Sequence, residues 1–371
     1  MKIKWPRLPD SVAVILGLIL LLAAGLAAAL SPGGEFSDWE RRYLAAVPAA
    51  PDIHNWDTDK KTETFLADHI PLRNQLVAVD RLSQLLTGRG TQLNAWYVAG
   101  AVVEQPVAAD RSKLERNLDR FRKLADKAGL PWLVLTPPTH GWLLQDQMSA
   151  LMAEQYQQEA DAYALLQELE QAVAMPEAFS AAPQDVYYRT DHHWTLNGAY
   201  HAYCALSGPL GYTPLPLAQF RLSEYSAFTG TTLSRSGLPP YAADTLHCAE
   251  PDSPVTLTIM DDQTVYDHLI FSEAAATYDG YAVYLNGNHG MLVIERPSAP
   301  EGTLIVYKDS FANCLLPLLS QHFRQIIAVD ARYYQGIFSD ALAMADDAQA
   351  ILCLYSLDSL ANDTSIIRKA R

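Results

Sequence analysis

Leu304-Ile305-Val306-Tyr307-Lys308-Asp309-Ser310-Phe311-Ala312-Asn313 passes from a continuous apolar run through a short polar turn into the apolar stretch Cys314-Leu315-Leu316. A strand without polar alternation needs cover on both faces, which a parallel sheet between helices provides. Ile326-Ile327-Ala328-Val329 and Ile351-Leu352-Cys353-Leu354 repeat the pattern at helix-length spacing. Trp132-Leu133-Val134-Leu135-Thr136 gives it earlier, ended by Pro137-Pro138. The predicted fold class is α/β, with a mostly parallel sheet flanked by helices. From Leu210 to about Pro297 the grammar changes to Pro, Gly and Tyr turns between the short runs Val255 to Ile259, Tyr281 to Leu285 and Met291 to Ile294. This region, about 210–297, is expected to be a β-rich insertion.

Helices bracket these runs. Asp110 is placed to cap a helix with Leu114, Leu118, Phe121 and Ala125 inward and Gly129 closing it. A second helix is expected near Gln155 to Val173, and a third from Leu196 to about Leu206 with Thr195 as its N-cap. Leu93 to Glu104 reads as a hairpin. Leu72, Leu76, Val79, Leu82 and Leu86 recur at helical spacing.

The chain has 371 residues, of which 49% are hydrophobic and 19% charged, enough for a substantial core. A formal net charge of -15 argues against nucleic-acid binding, whose usual footprint is a basic patch. Ser11 to Leu30 holds no charge, and at about 1.5 Å per residue it would reach across about 30 Å of hydrocarbon. Lys2, Lys4 and Arg7 precede it, so the expected topology is a cytoplasmic N-terminus (1–10), one transmembrane anchor in the lipid bilayer (11–30), a linker (31–56) and an extracytoplasmic domain (57–371). Ala27-Ala28-Ala29 leaves open a cleaved signal and a secreted product. Of four cysteines, Cys314 and Cys353 read as buried thiols, and Cys204 with Cys248 could form one bridge.

Two polar stretches carry the chemistry. In Arg189-Thr190-Asp191-His192-His193-Trp194, a carboxylate two residues before an imidazole can orient a general base, if the segment is extended. Capping and half-buried polar contacts are the plainer roles for the same residues. A metal site is not expected, because adjacent side chains diverge along a strand. Ser310, at a strand-to-helix turn, projects beyond the carboxyl edge of the sheet, or else simply caps the helix. Taken together, Ser310 as nucleophile, His193 as base and Asp191 as orienter make a triad for acyl transfer. Asn288 and Asn313 are candidate oxyanion donors, and Arg332 could line the cleft beside Asp330. Trp142, Trp194, Tyr333 and Tyr334 are aromatic faces available to a sugar.

Tyr188 to Thr195, Lys308 to Asn313 and Asp330-Ala331-Arg332-Tyr333 resemble the defining blocks of the bacterial DHHW protein family. Asp68 to Arg73 and Gly287 to Gly290 are also similar to its patterns. That family's logic is similar to that of the alginate O-acetyltransferase proteins in the SGNH-hydrolase-like superfamily. The resemblance implies an SGNH-like core with Asp191, His193 and Ser310 as the triad, needing neither metal nor cofactor. It also implies O-acetylation of an exported polysaccharide, with a membrane-bound O-acyltransferase as partner supplying acyl groups. Ordinary SGNH hydrolases place the serine first and read Gly-Asp-Ser, whereas here Asp-x-His comes first and the serine block reads Lys-Asp-Ser, so the oxyanion donors stay open. The expected function is a membrane-anchored O-acetyltransferase; a carbohydrate acetylesterase with the same triad and a non-catalytic scaffold of an envelope polysaccharide complex are the alternatives.

Overall fold

The computed structural model describes residues 10–30, 35–37, 39, 42–47, 56–87, 95–239, 241–300 and 302–370. Residues 1–9 and much of the expected linker 31–56 lie outside these. Two compact units are distinguished, one of residues 1–90 with 237–239 and one of 91–236 with 240–371.

The first unit holds the 21-residue helix Asp10–Leu30, the short pair β1 (Phe36–Ser37) and β2 (Arg42–Tyr43), and the helices Trp56–His69 and Arg73–Leu86. The buried Asp68 carboxylate accepts from Arg42 at both oxygens and from Ala45 N at 2.9 Å. The apolar stripe Leu72, Leu76, Val79, Leu82 and Leu86 is exposed. The anchor expected at 11–30 is not supported: among the described residues, no helix is long and apolar enough to cross a membrane. A helix of 21 residues, Asp10–Leu30, does form there.

The second unit is built on a seven-stranded sheet. The strands of the unit, in that sheet and in two separate pairs, are β3 (Ala95–Val98), β4 (Ala101–Glu104), β5 (Trp132–Leu135), β6 (Phe220–Phe228), β7 (Asp244–Pro251), β8 (Thr256–Ile259), β9 (Thr264–Tyr266), β10 (Met291–Glu295), β11 (Thr303–Lys308), β12 (Gln325–Asp330) and β13 (Ala348–Leu354). The central order is β5-β13-β11-β12-β10-β8-β9. β5, β13, β11 and β12 are mutually parallel, and β10, β8 and β9 continue antiparallel. The sheet is thus mixed, not mostly parallel. The expected β-rich insertion is also divided: β8, β9 and β10 belong to the main sheet, and β6 with β7 forms a separate hairpin. Tyr281 to Leu285 is not a strand; Gly280–Val283 is a 3₁₀ turn.

Alternation inside the apolar runs now has a physical meaning. Leu304, Val306, Ile326, Ala328, Leu352 and Leu354 face one core, while Ile305, Tyr307, Ile327, Val329, Ile351 and Cys353 face the other. The first core is covered by the helices Leu196–Leu210 and Ala312–Leu319, and the second by Arg111–Ala128 and Leu357–Asn362. The expected caps hold: Asp110 accepts from Lys113 N at 3.0 Å, Gly129 closes the helix at φ 67°, and Thr195 caps the helix that begins at Leu196. All four cysteines are free, so Cys204 and Cys248 are not bridged.

Candidate active site

Register brings the polar loops to one edge of the sheet. Lys308 lies beside Leu354 and Asp330, and Met291 beside Val329. The loops leaving β11, β12 and β13 and the turn entering β10 therefore share that edge, where parallel strands present their carboxyl ends. Ser310 stands two residues past β11. Asp309 holds this turn from below: its Oδ1 accepts from Phe311 N at 3.0 Å and its Oδ2 from Ser356 N at 2.8 Å. The helix Ala312–Leu319 follows and contains Pro317. Among the described residues, the N–H of Ser310 has no acceptor, which leaves it available to a developing oxyanion.

The Asp191 segment is a bend and not the extended run expected, because Tyr187 and Trp194 pair as a bridge and close the loop between them. His193 still meets Asp191: backbone N and Nδ1 both donate to Asp191 Oδ1, at 2.9 and 2.6 Å. Thr231 N donates to Asp191 Oδ2 at 2.6 Å. Gly230 leaves no space there, since a Cβ would lie 2.3 Å from that of Asp191. With Nδ1 donating to a carboxylate, the neutral ring carries its lone pair on Nε2, 2.8 Å from Ser310 Oγ, 117 residues away in the chain. Trp194, fully buried, donates from Nε1 to Phe311 O at 3.0 Å and ties the base segment to the serine turn.

The imidazole is held on its faces as well. Tyr281 stacks on His193 with centroids 3.8 Å apart and planes 5° apart. Burial lowers the His193 pKa, with His192 adding to the effect against the opposing pull of Asp191. Burial pushes Asp191 the other way, but His192, His193 and the N–H bonds outweigh it and keep its carboxyl well below the usual range. The pair is then a carboxylate and a neutral base. Elsewhere, burial alone takes His140, stacked on Tyr187, from 6.5 to about 4.

A stability prediction follows from these two histidines. Between about pH 4 and 6.5 the folded chain binds fewer protons than the unfolded one, so their contribution is complete above pH 6.5 and is lost as pH falls through that window. Denaturant melts from pH 7.0 to 4.5 should show falling stability, with a shallower slope in His140→Phe. Identical slopes in the two proteins would contradict the assignment to His140.

The other candidates are placed as follows. Asn313 is buried, and its amide is engaged by Lys308 Nζ at 2.7 Å, Asn288 Oδ1 at 3.1 Å and Gly287 O at 3.2 Å. It is therefore not free to meet an oxyanion, whereas Asn288 is half-buried with its Nδ2 unengaged among the described residues. Arg332, itself exposed, grips the fully buried Asp330 through Nε at 2.9 Å and Nη2 at 2.6 Å. Trp194 is buried and presents no face to a sugar, while Tyr333 is exposed.

His192 does not diverge as expected. The bend brings its ring within 3.9 Å of that of His193, and ligand atoms of Asp191, His192 and His193 lie within 4.8 Å of one another. A cation there would have to displace the N–H donors on both oxygens of Asp191 and the ring proton on His193 Nδ1. The expectation from sequence missed Tyr281, Thr231, Asp309 and Lys308. The glycine of Thr229-Gly230-Thr231 and the charges flanking Ser310 were the signals available for three of them.

The DHHW protein family model matches residues 175–329. A DHHW family protein from Eubacterium siraeum superposes with a TM-score of 0.63 at 18% identity, covering 74% of this chain and 94% of that one. PatB1 of Bacillus cereus, solved with a sulfonyl adduct, gives 0.59 at 21% identity, covering 73% and 96%. The O-acetyltransferase domain of Pseudomonas putida AlgJ gives 0.43 at 16% identity, covering 75% and 99%. Comparison with curated proteins finds no match. The segment that carries Asp191, His193 and Ser310 matches the DHHW protein family, and the fold around it is the one found in a solved DHHW family protein.

Proposed function

We propose that this chain is an extracytoplasmic O-acetyltransferase that moves an acetyl group through a Ser310 ester to a hydroxyl of an exported or cell-surface polysaccharide. The observation that carries the reading is the continuous relay of Asp191, His193 and Ser310, with heavy-atom separations of 2.6 and 2.8 Å. In the first half-reaction Ser310 Oγ attacks the acetyl carbonyl while His193 Nε2 takes its proton. The tetrahedral oxyanion collapses, the bond to the donor breaks, and His193 returns the proton to the leaving group. In the second, His193 takes the proton of a sugar hydroxyl, which attacks the acetyl-serine; the new tetrahedral oxyanion collapses to the acetylated sugar, the bond to Ser310 Oγ breaks, and His193 gives the proton to the departing serine.

The family resemblance supports acetyl as the acyl group and a membrane-bound O-acyltransferase as its supplier. The uncharged run Ser11–Leu30 after Lys2, Lys4 and Arg7 supports export. Water and sugar compete for the same acyl-enzyme. With 4-nitrophenyl acetate as donor and a panel of oligosaccharides, nitrophenolate release should rise with acceptor and yield acetylated sugar. Release without any acetylated sugar would make the enzyme an esterase, and no release at all would sink the catalytic reading in favour of a scaffold.

A further inference from the structure

We infer that Lys308 is a positioning residue that acts through Asn313 to hold the amide of Asn288 with its Nδ2 hydrogens turned toward the oxyanion formed at Ser310. This rests on the acyl-serine reading above and assigns which group serves it.

The inference follows from which groups can donate and which can only accept. An ammonium has no acceptor, so Lys308 Nζ at 2.7 Å must face the oxygen of the Asn313 amide. A backbone carbonyl has no donor, so Gly287 O at 3.2 Å must face its nitrogen. The orientation of Asn313 is therefore fixed at both ends by chemistry. Its second Nδ2 hydrogen meets Asn288 at 3.1 Å, and that atom of Asn288 has to be the oxygen. Both Nδ2 hydrogens of Asn288 are then left over, with no partner among the described residues. Asn313, which holds Asn288, is itself part of the serine turn, where its N donates to Ser310 O at 3.1 Å.

The backbone carrying Asn288 is held to this purpose. Leu285, Asn286 and Gly287 have φ of 59°, 58° and 92°, a run of left-handed conformations that non-glycine residues seldom adopt. His289 Nε2 braces the run by donating to Leu285 O at 3.2 Å and Asn286 O at 3.0 Å, and Gly290 N is held by Asp261 Oδ2 at 2.7 Å. Lys308 itself is fully buried. Burial and the nearby Arg332 lower its pKa to about 8 against the pull of Asp330 and Asp309, which keeps it mostly cationic at neutral pH.

The test is a double-mutant cycle on the full chain with Lys308→Met, Asn288→Ala and the combination, reading the acylation burst from 4-nitrophenyl acetate. Each single change should lower the acylation rate by about 10- to 100-fold, with KM altered by less than about threefold, the effect of losing one aligned oxyanion donor. The double variant should fall within about threefold of Asn288→Ala, because both changes remove one function. Losses that multiply, or an unimpaired Asn288→Ala, overturn the inference while leaving the acyl-serine reading intact. A wild type that never acylates overturns both. Should Lys308→Met fail to fold, Asn313→Asp reads the same link: it keeps an oxygen for Lys308 but has no hydrogen for Asn288. It should still fold cooperatively and lose the rate, and full activity there overturns the proposal equally.

Discussion

Ser310→Ala should abolish covalent labelling by a sulfonyl fluoride and lower kcat for acetyl transfer by about 10⁴-fold or more, with the melting temperature nearly unchanged. The size of the effect follows from removing the attacking atom of a relay whose members act as a unit. The fold should be spared because Asp309, and not the Ser310 side chain, holds the turn through Phe311 N and Ser356 N. A sulfonyl fluoride is a suitable probe because an activated serine hydroxyl displaces its fluoride to form a stable sulfonyl ester. His193→Ala should slow labelling severely while leaving the hydroxyl in place. Intact-mass spectrometry decides the matter: equal labelling of wild type and Ser310→Ala would remove Ser310 from the chemistry, and equal rates in wild type and His193→Ala would remove the base.

Asp191→Asn should be nearly as damaging to kcat, about 10³- to 10⁴-fold, and should also cost stability. Its two oxygens accept three N–H groups, from His193 N, His193 Nδ1 and Thr231 N. An amide has only one acceptor atom, so either Thr231 N or His193 loses its partner inside a buried site, at a cost of about 1–3 kcal/mol. If the amide nitrogen faces the ring, the imidazole must present its lone pair on Nδ1 and its proton on Nε2, the tautomer that cannot receive the Ser310 proton. Kinetics and chemical denaturation of the same preparation test both halves. A variant with wild-type kcat would show that Asp191 braces the loop and does not orient the base.

Residue patterns revealed the parallel half of the sheet because β11, β12 and β13 are apolar on both faces and close to one another in sequence. They did not reveal the antiparallel half. Val255 to Ile259 and Met291 to Ile294 were recognisable as strands, but which sheet a strand joins depends on partners far along the chain. Tyr281 misled for a related reason: its neighbours have strand composition, yet the ring serves to stack on His193. The site residues themselves were legible because Asp191, His193 and Ser310 stand in short polar stretches of a chain otherwise patterned by apolar runs. Their geometry was not, since the Asp-His contact survives a bend as readily as an extended strand. The depth of Asp330 and Lys308 was equally invisible, as a charged residue beside a turn normally reads as solvated.

The four parallel strands end on the same side, so the segments after β5 and β12 leave the sheet at the edge that carries the nucleophile without contributing an atom to its relay. A lineage can therefore recolour the exposed positions of those two segments, around residues 136–145 and 331–338, and change what that edge admits while the proton path stays as it is. Diversity among descendants of this scaffold should concentrate at that rim, and the strained bend before β10 should resist it.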